Sequence, residues 1–303
     1  MDTVLTLRKV RDFGQSLGDT IQFIKLNWKK LFTLYLVFAV PFLLVAALVG
    51  ASAFADFFQN IGGFTSPVLE GVSGNSIIAF FGAMLLYALS AGAFGTSVYL
   101  YMKLYDQNRG KQPEINEIGK LFFPKLLSNF GYTVIAGIIF CGFAFIAIIP
   151  IIGFLVVFFG FFYVAISLSL LYPINTIETN GFGVPLQRCF SLIRGKWWYT
   201  FGFLIILMLI FYFFSMIIGM VVNLIFGISS LNFLEPDKSL FTKRYFLITG
   251  LSSVVQQIFY LLIYVGIGIH YFSLREEKEG TALDERLDQL GSNDAHGQIE
   301  EQY

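Results

Sequence analysis

The charged residues of this chain stop where its long apolar runs begin. Runs at about Leu31–Phe54, Ile77–Tyr101, Tyr132–Ile149, Ile151–Leu171, Phe201–Phe226 and Phe246–Phe272 contain no Asp, Glu, Lys or Arg. Each is roughly long enough to cross a 30 Å hydrocarbon core at 1.5 Å per residue. In a bilayer every backbone N–H and C=O must be satisfied internally, so runs of this length and composition fold as helices. The predicted fold class is all-α: six transmembrane helices, occupying residues 1–290 and followed by a disordered acidic tail at 291–303. Composition agrees. Charged residues make up 13% of the 303 residues and the mean hydropathy is +0.71, against about 25% charged in soluble domains.

The basic residues alternate between the connections. Residues 1–30, 102–131, 172–200 and the segment after Phe272 hold 17 of the 20 Lys and Arg, and the other side holds only Lys238, Lys243 and Arg244. The positive-inside rule therefore places both termini in the cytoplasm. No apolar core lies within residues 1–30, so the first run is expected to act as an uncleaved anchor. Pro150 and Gly153 predict a tight hairpin between the third and fourth spans.

Each odd-numbered span is preceded by an apolar stripe at helical spacing. Val10, Phe13, Leu17, Ile21 and Ile24 form the first. Ile115, Ile118, Phe122 and Leu126 form the second, and Leu186, Phe190, Ile193 and Trp197 the third. Such stripes suit amphipathic helices lying in the membrane interface. The junctions FIKLNWKKLF, LFFPKLLSNFGYTV and SLIRGKWWYTFGF share basic residues, an Asn or Gly, and aromatic anchors such as Trp28, Trp197 and Trp198. The chain thus reads as three repeats, each an interfacial amphipathic helix plus a transmembrane hairpin.

Two further stretches carry a family likeness. LLYPINTIETNGFGVPLQRCFSLIRGKWWYTFGFLII has a span ending near Pro, a Glu, an amphipathic helix and a basic-Gly-aromatic entry. YFSLREEKEGTALDERLDQLG has a Tyr-containing span end running into an Arg- and Glu-Gly-containing segment. Together they resemble a bacterial six-span inner-membrane family, the membrane domain found fused to glycerophosphoryl diester phosphodiesterases. The resemblance implies a multi-pass protein of the cell inner membrane. The catalytic domain of the fused members is absent, so none of that activity is carried over.

Little in the sequence points to catalysis. There is no metalloprotease, nucleophile-elbow or phosphate-loop motif, and no cofactor is implied. Asp106, Glu114 and Glu117 lie among Arg109, Lys111 and Lys120, as on a solvated face. His270 ends the sixth span, where the helix dipole favours histidine, and His296 lies in the tail. Cys141 and Cys189 fall at different depths, which argues against a disulfide. The net charge of zero gives no case for nucleic-acid binding.

Three features remain as candidate sites. Small residues in the second span, Ala88, Ala91, Gly92 and Gly95, allow close helix packing, within the chain or between copies. In the sixth span Thr249, Ser253, Gln256, Tyr260 and Tyr264 form a polar stripe with Gln257 beside it. Amides in hydrocarbon need partners, so the stripe is either glue between helices or a groove for a lipid headgroup or solute. Arg188, Arg194 and Lys196 could meet lipid phosphates at the interface, and Glu178 is expected to pair with an arginine there. The leading reading is a non-enzymatic scaffold, assembly partner or lipid-handling factor. The alternatives are a transporter of lipid or a weakly polar solute, and a membrane enzyme acting on headgroups. Membrane lipids and a membrane protein are the partners implied; oligomeric state is left open.

Overall fold

A computed structural model describes residues 4–60, 74–147, 149, 152–178, 181, 183–230 and 238–280. Among these the fold is all-helical, and six helices are long and apolar enough to cross a membrane. Its surface carries many large apolar side chains, and a set of polar side chains is buried within a largely apolar core. Leu48, Ile78, Ile138, Phe159, Leu209 and Phe213 face outward, whereas Ser90, Thr96, Asn129, Thr176, Gln257 and His270 are buried. That arrangement is what a hydrocarbon solvent selects, because only polar groups gain by turning toward protein.

The first span begins with α1 (Phe13–Leu34), passes through a π-helical turn at Tyr35–Ala39 and continues as α2 (Val40–Asn60). Asp12 caps α1 by accepting from the Gln15 N–H at 2.7 Å. Pro41 lies just beyond the π turn and has no N–H to give to the preceding turn, a common cause of such irregularity. α3 (Gly74–Gln107) returns, followed by α4 (Ile115–Ile146) and α5 (Ile152–Leu168). The predicted hairpin falls between α4 and α5. Pro150 lies outside the described residues, but Gly153 packs so closely on the Ile146 carbonyl that a Cβ there would collide with it.

After α5 come two short helices, α6 (Leu171–Ile177) and α7 (Val184–Ile193). Gly195, at φ +86°, turns the chain into α8 (Trp197–Ser230). The last span is broken: α9 (Lys238–Gln257) stops, the chain makes a tight turn at Ile258–Phe259, and α10 (Tyr260–Glu279) continues. α2 packs most extensively on α3 and α9. α10 fills the centre of the charged end against α1, α3, α6, α7 and α8.

The three entries to the odd-numbered spans differ. α1 and α4 run into their spans without a separate interfacial helix, whereas α7 is set off by the Gly195 turn. On α1 the buried face includes Ser16, Thr20, Phe23 and Asn27; of the apolar stripe, Ile21 on α1 and Val10 ahead of it are exposed. On α4 the stripe residues Ile118, Phe122 and Leu126 are buried against protein. Residues 4–12 form a strap across the charged end. Its anchor is Arg11, whose buried guanidinium donates to the carbonyls of Leu7 and Lys9 and pairs with Asp19 at 2.7 Å. Residues 281–303, including the predicted disordered tail, lie outside the described residues.

Candidate functional site

Both backbone irregularities face each other in the middle of the bundle. The Ser90 hydroxyl of α3 lies 3.1 Å from the Ala39 carbonyl at the π turn and 3.2 Å from Gln257 Oε1 at the end of α9. The Tyr35 hydroxyl donates to the Val254 carbonyl one turn before the α9 break. Carbonyls released from regular helix pairing are thus taken up by side chains of neighbouring spans, as the bilayer requires.

Beside this junction lies a cavity of about 460 Å³. Its polar lining is Tyr87, Ser215, Ser253, Gln256, Gln257 and Tyr260, with Leu43, Ala91 and Phe211 as apolar wall. Leu43, Tyr87, Ser215 and Gln256 each stand near the middle of their own span, so the cavity sits near mid-depth. Tyr212 and Met216 stand at its mouth and are 73% and 69% exposed on the lipid-facing side of α8. The cavity therefore opens sideways. Gln256 turns toward α8, where Ser215 Oγ donates to its Oε1 at 3.4 Å, a long and weak bond. The Ser253 hydroxyl donates to the Gly250 carbonyl at 2.5 Å and is bonded to Tyr87.

Ser253, Gln256 and Tyr260 of the polar stripe thus share one cavity, and Gln257 joins them. Tyr264 does not. Its hydroxyl donates to the Ala91 carbonyl at 2.9 Å, and its ring packs edge-on against Phe94 and Tyr99. The small residues of α3 receive it: a Cβ on Gly95 would lie 3.1 Å from the Tyr264 ring. A Cβ on Gly92 would lie 3.1 Å from the Tyr172 hydroxyl. Ala91, Gly92 and Gly95 therefore serve packing within the chain, while Ala88 turns outward.

A second polar region occupies the charged end, and sequence reasoning missed its centre. Residues 172–178, read as loop, form the buried α6 and its cap. Asn175 donates to Asn129 Oδ1 at 2.8 Å, and Asn129 donates to Thr96 at 2.8 Å and Thr176 at 3.0 Å. The available signal was a pair of isolated amides, Asn129 and Asn175, each flanking a span. Glu178, capping α6, accepts from the Tyr271 hydroxyl at 2.7 Å and pairs with Arg188 at 2.5 Å. Arg188 also pairs with Glu279. Burial opposes the Arg188 charge, but the hydrogen bonds and charges of Glu178 and Glu279 outweigh it and raise its pKa.

The three basic candidates are therefore not a cluster. Arg188 is held by two carboxylates, Lys196 pairs with Glu277 at 2.5 Å, and the exposed Arg194 has its backbone carbonyl bonded to Lys278. His270 is buried between Tyr199 and Phe203, with its Nε2 2.9 Å from the Thr200 hydroxyl. Asp106 pairs with Arg8 at 2.8 Å, and no group of three metal-ligating side chains occurs among the described residues. Cys141 and Cys189 are both free.

These features define a multi-pass membrane protein with an uncharged polar cavity near mid-depth. No family model, curated protein or solved structure matches the chain.

Proposed function

We propose that this chain is a lipid-handling protein of the bacterial inner membrane that admits a neutral amphiphile sideways into the cavity between α3, α8 and α9. The observation carrying this reading is a cavity lined by two amides and five hydroxyls and no Asp, Glu, His, Lys or Arg. Such a lining offers donors and acceptors to an uncharged polar group, such as a hydroxyl or ester, and gives an ion nothing to pair with. Its volume suits a neutral headgroup rather than a whole lipid, which leaves the acyl chains in the bilayer past Tyr212 and Met216. Span irregularity at mid-depth beside a binding cavity is also how many membrane carriers are built. That feature favours the transport alternative, with movement of the ligand uncoupled to ions.

Both termini are assigned to the cytoplasm on the charge alternation, and the three-unit organisation on the rhyming junctions. The family resemblance supports the inner-membrane assignment. Cysteine labelling in intact cells tests the topology: a cysteine near Gly62 should label from outside and one near Asp106 should not. The ligand reading is tested by lipid extraction and mass spectrometry of purified protein. Wild type should retain a neutral lipid or apolar-polar solute that Ser253→Leu and Gln256→Leu lose. Equal lipid content in all three proteins would leave the stripe as helix glue.

A further inference from the structure

The cations packed into the charged end divide into two groups. Arg8, Arg11, Arg188, Lys196 and Arg275 each pair with a carboxylate. Lys103 of α3 and Lys125 of α4 do not. Lys125 Nζ donates to the Asn175 carbonyl at 2.6 Å, and Lys103 Nζ lies 3.4 Å from the next carbonyl, Thr176. Two half-buried ammonium groups thus converge on consecutive carbonyls at the end of α6, and no acidic side chain among the described residues pairs with either.

The carbonyl end of a helix carries roughly half a negative charge, and less in one of two turns. It cannot neutralise two lysines. Each ammonium has three donors and gives one to α6. The pair is held in place by a rigid frame, since Asn175 is fixed by Asn129 and by Ser128, whose hydroxyl accepts from the Asn175 amide at 3.0 Å. Lys103 lies just beyond the end of the second span and Lys125 just before the third, which places both at headgroup depth.

We infer that Lys103 and Lys125 bind a phosphate group at headgroup level, carried by an anionic phospholipid of the adjacent leaflet. The site is separate from the mid-depth cavity and does not depend on its occupant. Lys196, already neutralised by Glu277, serves as the control.

The test is lipid retention by the full chain in nanodiscs of phosphatidylcholine doped with phosphatidylglycerol, read by native mass spectrometry. Wild type should retain phosphatidylglycerol over phosphatidylcholine, and Lys103→Gln/Lys125→Gln should lose the preference by roughly thirtyfold. Lys103→Arg/Lys125→Arg should keep it, as should Lys196→Gln. If the glutamine variant fails to fold, the wild-type preference should still fall as salt rises from about 50 mM to about 500 mM, because screening weakens an exposed charge contact. Millimolar inorganic phosphate should not displace the lipid, which its chains also hold. Displacement would make free phosphate the occupant and overturn the lipid assignment. Undiminished preference in the glutamine variant, or loss of preference in Lys196→Gln alone, would overturn the site.

Discussion

The mid-depth cavity and the charged end are both polar interiors of one membrane protein, yet they are built oppositely. At the charged end side chains bond one another across elements: Asn129 makes three side-chain bonds, and Glu178, Arg188 and Glu279 form a chain of contacts. In the cavity the cross-helix contacts are fewer. Gln256 holds Ser215 at a long 3.4 Å, and Ser253 bonds one turn back on its own helix and to Tyr87. Saturated groups give stability and little capacity to bind. Groups left with spare hydrogen-bonding capacity around a cavity give the reverse. Polarity in a span thus marks function only where the protein has left it underused.

The contrast is sharpened first by stability. Asn129→Leu strands Thr96, Thr176 and Asn175 in a buried site, and it should cost about 2–3 kcal/mol. Reversible unfolding in mixed micelles measures this, and a loss below about 0.5 kcal/mol would erase the distinction between the regions. Glu178→Gln should cost less, about 1–2 kcal/mol. Arg188 remains 26% exposed and retains Glu279, so the lost pair is only partly desolvated. In the same assay Gln256→Leu should cost about 0.6 kcal/mol or less, the average for a polar contact within a membrane protein. A cost as large as that of Asn129→Leu would make Gln256 glue.

The smallest effect is a labelling one. Burial in α7 pushes the Cys189 thiol up to about 12. Alkylation requires the thiolate, which is then roughly one part in ten thousand at pH 8. Cys189 should stay unlabelled by a soluble maleimide in folded protein at pH 8 and react on denaturation. Rapid labelling before unfolding would show that the charged end is open to water.

The sequence announces much of this molecule and hides the part that needs long-range contacts. Charge-free runs placed six spanning helices, and helical spacing placed Ser253, Gln256 and Tyr260 on one face, because both signals are local. Tyr264 follows the same spacing but stands one turn beyond Tyr260, where its hydroxyl reaches the Ala91 carbonyl and Gly95 admits its ring. Neither the break at Ile258–Phe259 nor the burial of α6 has a strong local signature. Both depend on partners tens of residues away: Ser90 for Gln257, and Asn129 for Asn175. The π turn has one local signal, Pro41, which the charge-free run masks. The Arg188, Arg194 and Lys196 group looked alike in sequence and separated in space, because ion pairing depends on Glu178, Glu277 and Glu279.

The central claim is that the cavity admits a neutral amphiphile from the side. A photoreactive amino acid placed at Met216, at the mouth, and separately at Leu209, which is 63% exposed on the same helix, tests it in intact membranes. Mass spectrometry of the adducts should show a neutral lipid or solute enriched at position 216 over 209, with the enrichment removed by Ser253→Leu. Identical bulk-lipid adducts at both positions, unchanged by Ser253→Leu, would contradict the claim.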